Sequence, residues 1–455
     1  MLKLYNSRTK ETEKFKPLKG NKVKMYSCGP TVYDYVHVGN LRAFVFEDIL
    51  YRALKYNGYD VQYVMNITDV GHLTDDADQG DDKMEESAKK EGKSAKEIAE
   101  HYTKAFKRDI RNLNVQEPNT WAVATEHIQE QIKLVKKLKE KGYTYETSDG
   151  VYFDTTKLND YGKMANLKEQ DMNAGARVDI KEKKNPHDFA LWKFSPEDKQ
   201  RQMEWEAFEH KGFPGWHIEC SVMASEYLGD QFDIHCGGID HIPVHHTNEI
   251  AQAEAAFGKK PWVNFWIHCE FLLVEDEKMS KSKGNFLTLQ DIIDRGIEPL
   301  AFRYFLLQSH YRKELNFTWK ALKAAQKGLK KLRRKVNNIE NSKTNTDPKA
   351  EKEFLDAINH DLNTSEALSV LWTALKNERL SKQAVIKFDK ILGLDLHRIQ
   401  EEETEIPEEV QELLKMRAEA REAENWEKSD KIRAKIKARG YTVKDTDEGQ
   451  EVEKE

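Results

Sequence analysis

Residues 22–28, KVKMYSC, alternate so that Val23 and Met25 share one face of a short strand. In the segment NLRAFVFEDILYRALKYNG, apolar residues recur at Leu41, Phe44, Val45, Ile49, Ala53 and Tyr56, and Gly58 supplies a stop. That spacing predicts a helix. DVQYVMNIT, 60–68, reads as the next strand. Strand, helix, strand is a βαβ unit, which implies a parallel sheet with a site at its carboxyl edge. Two amphipathic helices follow, over 94–113 and 125–142, the second ended by Gly142. Residues 75–94 read as an exposed excursion and 150–200 as irregular. The sheet pattern returns at QFDIHCGG (231–238), then a helix in VHHTNEIAQAEAAFG (244–258), then WVNFWIHCEFLLV (262–274).

Beyond residue 315 the pattern is helical almost throughout. KALKAAQKGLKKLRRKVNNIE is basic on its solvated side, residues 340–350 read as a linker, and a helical block runs to about 395. The acidic linker EEETEIPEEV leads to a small module over 407–447. The expected fold class is α/β: a doubly wound, parallel, Rossmann-type nucleotide-binding sheet with an inserted α/β subdomain, then a helical bundle and a small C-terminal module. The boundaries expected are 1–114 with 206–312 for the sheet domain, 115–205 for the insertion, 313–400 for the helical domain, and 401–455 for linker and module.

Composition narrows the chemistry. Of 455 residues, 33% are charged and 38% apolar, and 73 Lys and Arg against 79 Asp and Glu leave a net charge of −6. A nucleic-acid partner would have to be held by local basic faces. No segment approaches the roughly 18 apolar residues of a membrane helix, and the first residues lack the apolar stretch of a signal peptide. Four cysteines far apart do not make a disulfide framework. A reducing cytoplasm, no membrane and a monomeric state are expected.

Three stretches carry candidate chemistry. In VHVGN, 36–40, the loop between the first strand and its helix offers backbone N–H groups and a helix dipole to a phosphate, with His37 and Asn40 as further donors; an ordinary loop has equal claim to that stretch. In EKMSKSKGN, Lys278, Lys281 and Lys283 with Ser280 and Ser282 make a donor-rich loop suited to polyphosphate. His245 and Glu249 lie four apart on one helix face, the spacing of metal ligands.

With these in place the chain resembles the class I aminoacyl-tRNA synthetases, and within them the cysteinyl-tRNA synthetase family. MYSCGPTVYDYVHVGN, NITDVGH, AGARVD, FPGWHIECS, HHTNEIAQ, KMSKSKGNF and LNTSEAL stand in the family's order, over essentially the whole chain. The resemblance implies ligation of L-cysteine to tRNA(Cys), driven by ATP through cysteinyl-adenylate. It implies one zinc per chain on Cys28, Cys220, His245 and Glu249, binding the substrate as thiolate, with magnesium accompanying ATP. It implies Thr68 and Trp216 in the amino-acid pocket. It places Gly39, Gly238, Asp240 and Lys281 at ATP, and His37, Asn40, Lys278 and Lys281 at the triphosphate. For Trp216 core packing is the competing reading, and for Asp240 a structural turn. His246 reads as a core histidine or a partner to the ligands, Cys236 and Cys269 as small buried apolar residues, and His217, His235 and His241 as ligand partners.

Two departures stand out. Asn40 occupies the fourth signature position, where histidine is usual, and DTDEGQEVEKE lacks an aromatic that often follows this glycine and would stack on an anticodon base. Two rivals share parts of the pattern. A ligase joining cysteine to an amino sugar lacks the terminal tRNA-reading module, and an RNA-binding paralogue without catalysis would not need intact KMSKS and ligands.

Overall fold

In a computed structural model, residues 1–70, 82–167, 182–196, 201–279, 286–340, 345–398, 407–446 and 449–454 are described. The chain forms two compact units, Met1–His397 and Arg398–Glu455.

The first unit is built on five parallel strands. Their order across the sheet is Val263–Cys269, Phe232–Gly238, Lys22–Ser27, Asp60–Ile67 and Thr120–Val123. The earliest of these strands is central. The chain adds strands on one side of it, then crosses to the other, so the order reverses beside Ser27 and Gly238. In doubly wound sheets ligands bind outside the strand ends at this reversal.

Alternation sorts the central strand as its sequence predicts. Val23 and Met25 face the cluster beneath helix Val38–Tyr56, and Tyr26 faces the opposite cluster with Met223 and Leu228 of helix Trp216–Leu228. Helices on both faces bury nearly every strand side chain, which is why Asp60–Ile67 reads as an apolar run.

The domain boundaries differ from the sequence expectation at two points. Strand Thr120–Val123, expected inside the insertion, pairs parallel with Asp60–Ile67 and is the sheet's edge. The inserted sheet is antiparallel, in the order Thr144–Thr147, Gly150–Phe153, Phe189–Phe194, His210–Pro214, Trp205–Ala207. It therefore reaches Pro214, past the expected end at 205. Segment 150–200, expected irregular, holds two of its strands, and helix Lys83–Glu91 lies in the expected excursion. Helices Trp319–Asn337, Pro348–Asn359, Thr364–Lys376 and Lys382–Leu392 follow.

Arg303 ties this helical block to the sheet domain. Its fully buried guanidinium bonds Asp48 of helix Val38–Tyr56, and donates to the carbonyls of Leu113 (3.1 Å) and Leu392 (2.7 Å).

The second unit has helices Glu408–Glu422 and Trp426–Lys437 and a hairpin of Tyr441–Thr446 with Gly449–Lys454. Its core is small: Val410, Ala420, Ile432, Ile436, Tyr441 and Val443. Among the described residues of the chain, no helix is long and apolar enough to cross a membrane.

Candidate metal centre and adjoining loop

Four side chains converge at the sheet's reversal point. Cys28 directly follows the central strand, and its N–H donates to Cys236 O at 3.1 Å. Cys220 lies in helix Trp216–Leu228. A wide π-type turn, Ile242–His246, runs into helix Thr247–Phe257 and brings His245 and Glu249 to the same place. The ligand atoms of Cys28, Cys220, His245 and Glu249 all lie within 4.8 Å of one another, and all four residues are buried. A second quartet, Cys28, His235, His246 and Glu249, meets the same measure.

Histidines surround these groups and orient them. His217 Nδ1 lies 3.1 Å from His245 Nδ1, and His235 Nε2 lies 3.0 Å from Glu249 Oε2. His246 Nε2 is 3.3 Å from Cys28 Sγ, its Nδ1 is 2.7 Å from His268 Nε2, and His268 continues to Ser7 Oγ at 2.7 Å. Sequence reasoning missed His268 and Ser7 in this role, since neither stands at ligand spacing.

The electrostatics split the two thiols: burial, then the neighbouring Cys220, pushes the Cys28 thiol well up. The hydrogen bond from Cys28 pulls the Cys220 thiol down to about 6, against its burial. Burial opposes ionisation of Glu249, but His235 and His245 outweigh it and hold the carboxyl at about 2. Burial likewise opposes charge on His245, and Glu249 and Cys220 reverse the outcome, raising it to about 10. Glu249 Oε1 lies 3.1 Å from His245 Nε2, so the imidazole and the carboxylate meet directly. Two thiols, an imidazole and a carboxylate in one dry cluster fit a divalent ion of borderline softness.

The pocket residues divide. The Trp216 ring packs 4.4 Å from the His245 ring, beside the quartet. Thr68 follows strand Asp60–Ile67, with its hydroxyl already bonded to Asn66 and Glu219. Cys236 and Cys269 are buried outside both quartets, as expected.

The VHVGN loop sits at the start of helix Val38–Tyr56. His37 is its N-cap: its Nδ1 accepts from Asn40 N at 3.1 Å, and Asn40 Oδ1 accepts from His37 N at 3.2 Å. This reciprocal box satisfies two N-terminal donors. It also fixes the proton of neutral His37 on Nε2, which leaves that nitrogen as a donor. Burial lowers the His37 pKa and favours the neutral form. A Cβ on Gly39 would stand 2.5 Å from Met279 Cε and 2.9 Å from His37 Cε1, pressing on the Met279 side chain and the capping imidazole. Asp240 is exposed, just past Gly238, where a Cβ would meet Asp240 Oδ1 at 2.3 Å. Lys278 ends strand Glu277–Lys278; its side chain and Lys281 lie outside the described residues.

Comparison with known proteins places this geometry. Residues 14–327 match the model of the class I (C) tRNA synthetase catalytic domain, and residues 403–452 that of the cysteinyl-tRNA ligase anticodon binding domain. The chain belongs to the cysteinyl-tRNA ligase family. It is 49% identical to cysteine–tRNA ligase 1 of Burkholderia lata, over 99% of this chain and 96% of that protein. It is 44% identical to cysteine–tRNA ligase of Treponema denticola, over 98% of each. The fold resembles Mycobacterium tuberculosis methionyl-tRNA synthetase bound to methionyl-adenylate, with a TM-score of 0.58 and 15% identity over 82% of this chain and 89% of that one. In this chain the sheet reversal, the loop at His37 and the buried quartet all fall within the matched residues 14–327.

Proposed function

We propose that the protein activates L-cysteine with ATP and transfers it to tRNA(Cys), and that zinc on Cys28, Cys220, His245 and Glu249 reads the substrate's sulfur. The observation that carries the reading is the buried quartet with its two thiols at the sheet's reversal point. Of the two overlapping quartets, this one holds both thiols, the softer donor set and the one better suited to zinc.

In the first step a cysteine carboxylate oxygen attacks the α-phosphorus of ATP. The bond to the bridging oxygen breaks and pyrophosphate leaves with magnesium. In the second, the hydroxyl of the terminal tRNA ribose attacks the acyl carbon and AMP leaves. The residues bind and orient more than they react. The helix N-terminus at His37 faces developing phosphate charge, and His37 Nε2–H and the Asn40 amide add neutral donors. Lys278 and Lys281 supply positive charge to the triphosphate. Gly238 and Asp240 meet the nucleoside, and Trp216 and Thr68 flank the amino acid. A bound zinc would supply a soft contact that a thiolate makes well and a serine hydroxyl makes poorly.

The test is cysteine-dependent ATP–pyrophosphate exchange together with zinc stoichiometry. One zinc per chain and exchange favouring cysteine over serine by more than ~10⁴-fold are expected, since shape alone rejects such isosteres by only ~10²-fold. Serine activated within a hundredfold of cysteine would refute the zinc-reading part.

A further inference from the structure

One chain of hydrogen bonds runs beside the metal quartet without using it. The Gly29 N–H donates to Asn66 Oδ1 at 2.7 Å, Asn66 Nδ2 donates to Thr68 Oγ1 at 3.0 Å, and the Thr68 hydroxyl donates to Glu219 Oε2 at 3.1 Å. Asn66, Thr68 and Glu219 are all buried, Glu219 completely. The chain begins one residue after Cys28 and ends one residue before Cys220. It therefore spans the two thiol-bearing segments by an independent route.

Thr68 has little freedom of its own. Its N–H donates to Pro30 O and its carbonyl accepts from Val32 N, both at 3.0 Å. With Asn66 donating to the hydroxyl oxygen, the direction of the O–H is set by the one acceptor it reaches, Glu219. Glu219 is a costly residue in this place. Its second oxygen, Oε1, is buried and has no hydrogen-bond partner among the described residues. Burying a carboxyl with an unmet oxygen costs stability that an apolar side chain of similar size does not. A buried carboxyl with an unmet oxygen, on the first turns of the helix that carries Trp216, is a feature of working sites.

We propose that Glu219 is a positioning residue for the amino-acid substrate, acting through Thr68. It sets the distance between the end of strand Asp60–Ile67 and the first turns of helix Trp216–Leu228, the two walls that hold the amino acid beside the quartet. The proposal rests on the cysteine-activation reading above and adds a residue that the ligand pattern does not contain.

The experiment uses full-length, zinc-loaded protein and the variants Glu219→Leu, Glu219→Gln, Thr68→Val and Glu219→Leu with Thr68→Val. Exchange by the unaltered protein is measured first; its absence would overturn the activation reading and the substrate role with it. Given exchange, Glu219→Leu is expected to raise KM for cysteine about tenfold or more, with a smaller change in kcat and none in KM for ATP. Zinc per chain should be unchanged and the melting temperature equal or higher. Glu219→Gln should restore most of the loss, because its amide oxygen still accepts from Thr68. Thr68→Val should reproduce the leucine variant, and the double variant should be no worse than either, as for members of one chain. In cobalt(II)-substituted protein, the cysteine-dependent absorption change should shift to higher cysteine concentration in the same ratio. An unchanged KM for cysteine in Glu219→Leu would overturn the proposal. So would a lowered melting temperature with cysteine and ATP affected alike, since that is the signature of a structural role.

Discussion

Glu47 lies on helix Val38–Tyr56, fully buried, and among the described residues the Ser27 hydroxyl is the polar group that faces its carboxyl. Burial drives its pKa well above the ordinary 4.5, with the Ser27 hydroxyl opposing only in part. The titratable groups that feel it are acids: Cys28, Tyr63, Cys236 and Cys269. Among the described residues no cation is paired with it. The folded protein therefore holds this proton to higher pH than the unfolded chain, which ionises the carboxyl above about pH 4.5. The sign follows: the stability is complete below pH 4.5 and is lost as pH rises, at about 1.4 kcal/mol per unit, until Glu47 ionises in place. The loss by pH 7 is bounded at about 3 kcal/mol, the limit reached when Glu47 stays protonated over that whole range. Glu47→Gln cannot ionise, and its new N–H₂ offsets about 1 kcal/mol of the gain unless Ser27 accepts from it. The variant is thus expected to be more stable near pH 7, by at most about 2 kcal/mol, with the advantage shrinking as pH falls, vanishing at about pH 5 and reversing below it. Urea denaturation of both proteins at several pH values between 4.5 and 8 measures this. A stability difference that does not change with pH would refute the reasoning.

Arg303→Met should destabilise the first unit by about 3–5 kcal/mol, toward the lower figure because Arg52 still bonds Asp48 at 2.7 Å; chemical denaturation reads it. Gly29→Ala would put a Cβ 1.8 Å from Asn66 O, so Cys28 and Thr68 must move apart. Metal affinity should fall about tenfold or more while the helical circular dichroism is kept, measured by competition with a chelator. Removing residues 404–455 should spare exchange and weaken aminoacylation, because that segment has its own core; an equal fall in both rates would contradict it.

Much of the sheet was legible because its strands are buried on both faces and its first helix has a clean period. Val23 and Met25 went where alternation puts them, and Gly58 follows the end of the helix, with φ of 85°. The inserted sheet was not legible. Its strands are three to six residues long, and Gly150–Phe153 pairs with Phe189–Phe194 across a long stretch of chain. Local pattern carries no information about such pairing. The edge strand Thr120–Val123 was lost for the same reason. At the site, spacing pointed to His245 with Glu249, and the resemblance added Cys28 and Cys220. The second role of His37 and Asn40, as a reciprocal helix cap, follows from loop geometry that residue types alone do not specify. Glu219 was invisible because an acid beside a cysteine on a helix ordinarily faces water.

The central strand, Lys22–Ser27, has one neighbour close in sequence, Asp60–Ile67, and another about two hundred residues away, Phe232–Gly238. During synthesis at roughly 5–20 residues per second, Cys28 waits on the order of 10–40 seconds for Glu249 to appear. Until then one side of the sheet's middle strand is an open edge, and a thiol meant for the interior stands beside it. Pairing of this kind is slow and exposed to wrong partners. The protein thus completes its quartet only when roughly half of the chain has been made. A nascent chain stalled short of residue 249 would have its first βαβ unit formed, its central edge uncovered and nothing able to hold a metal.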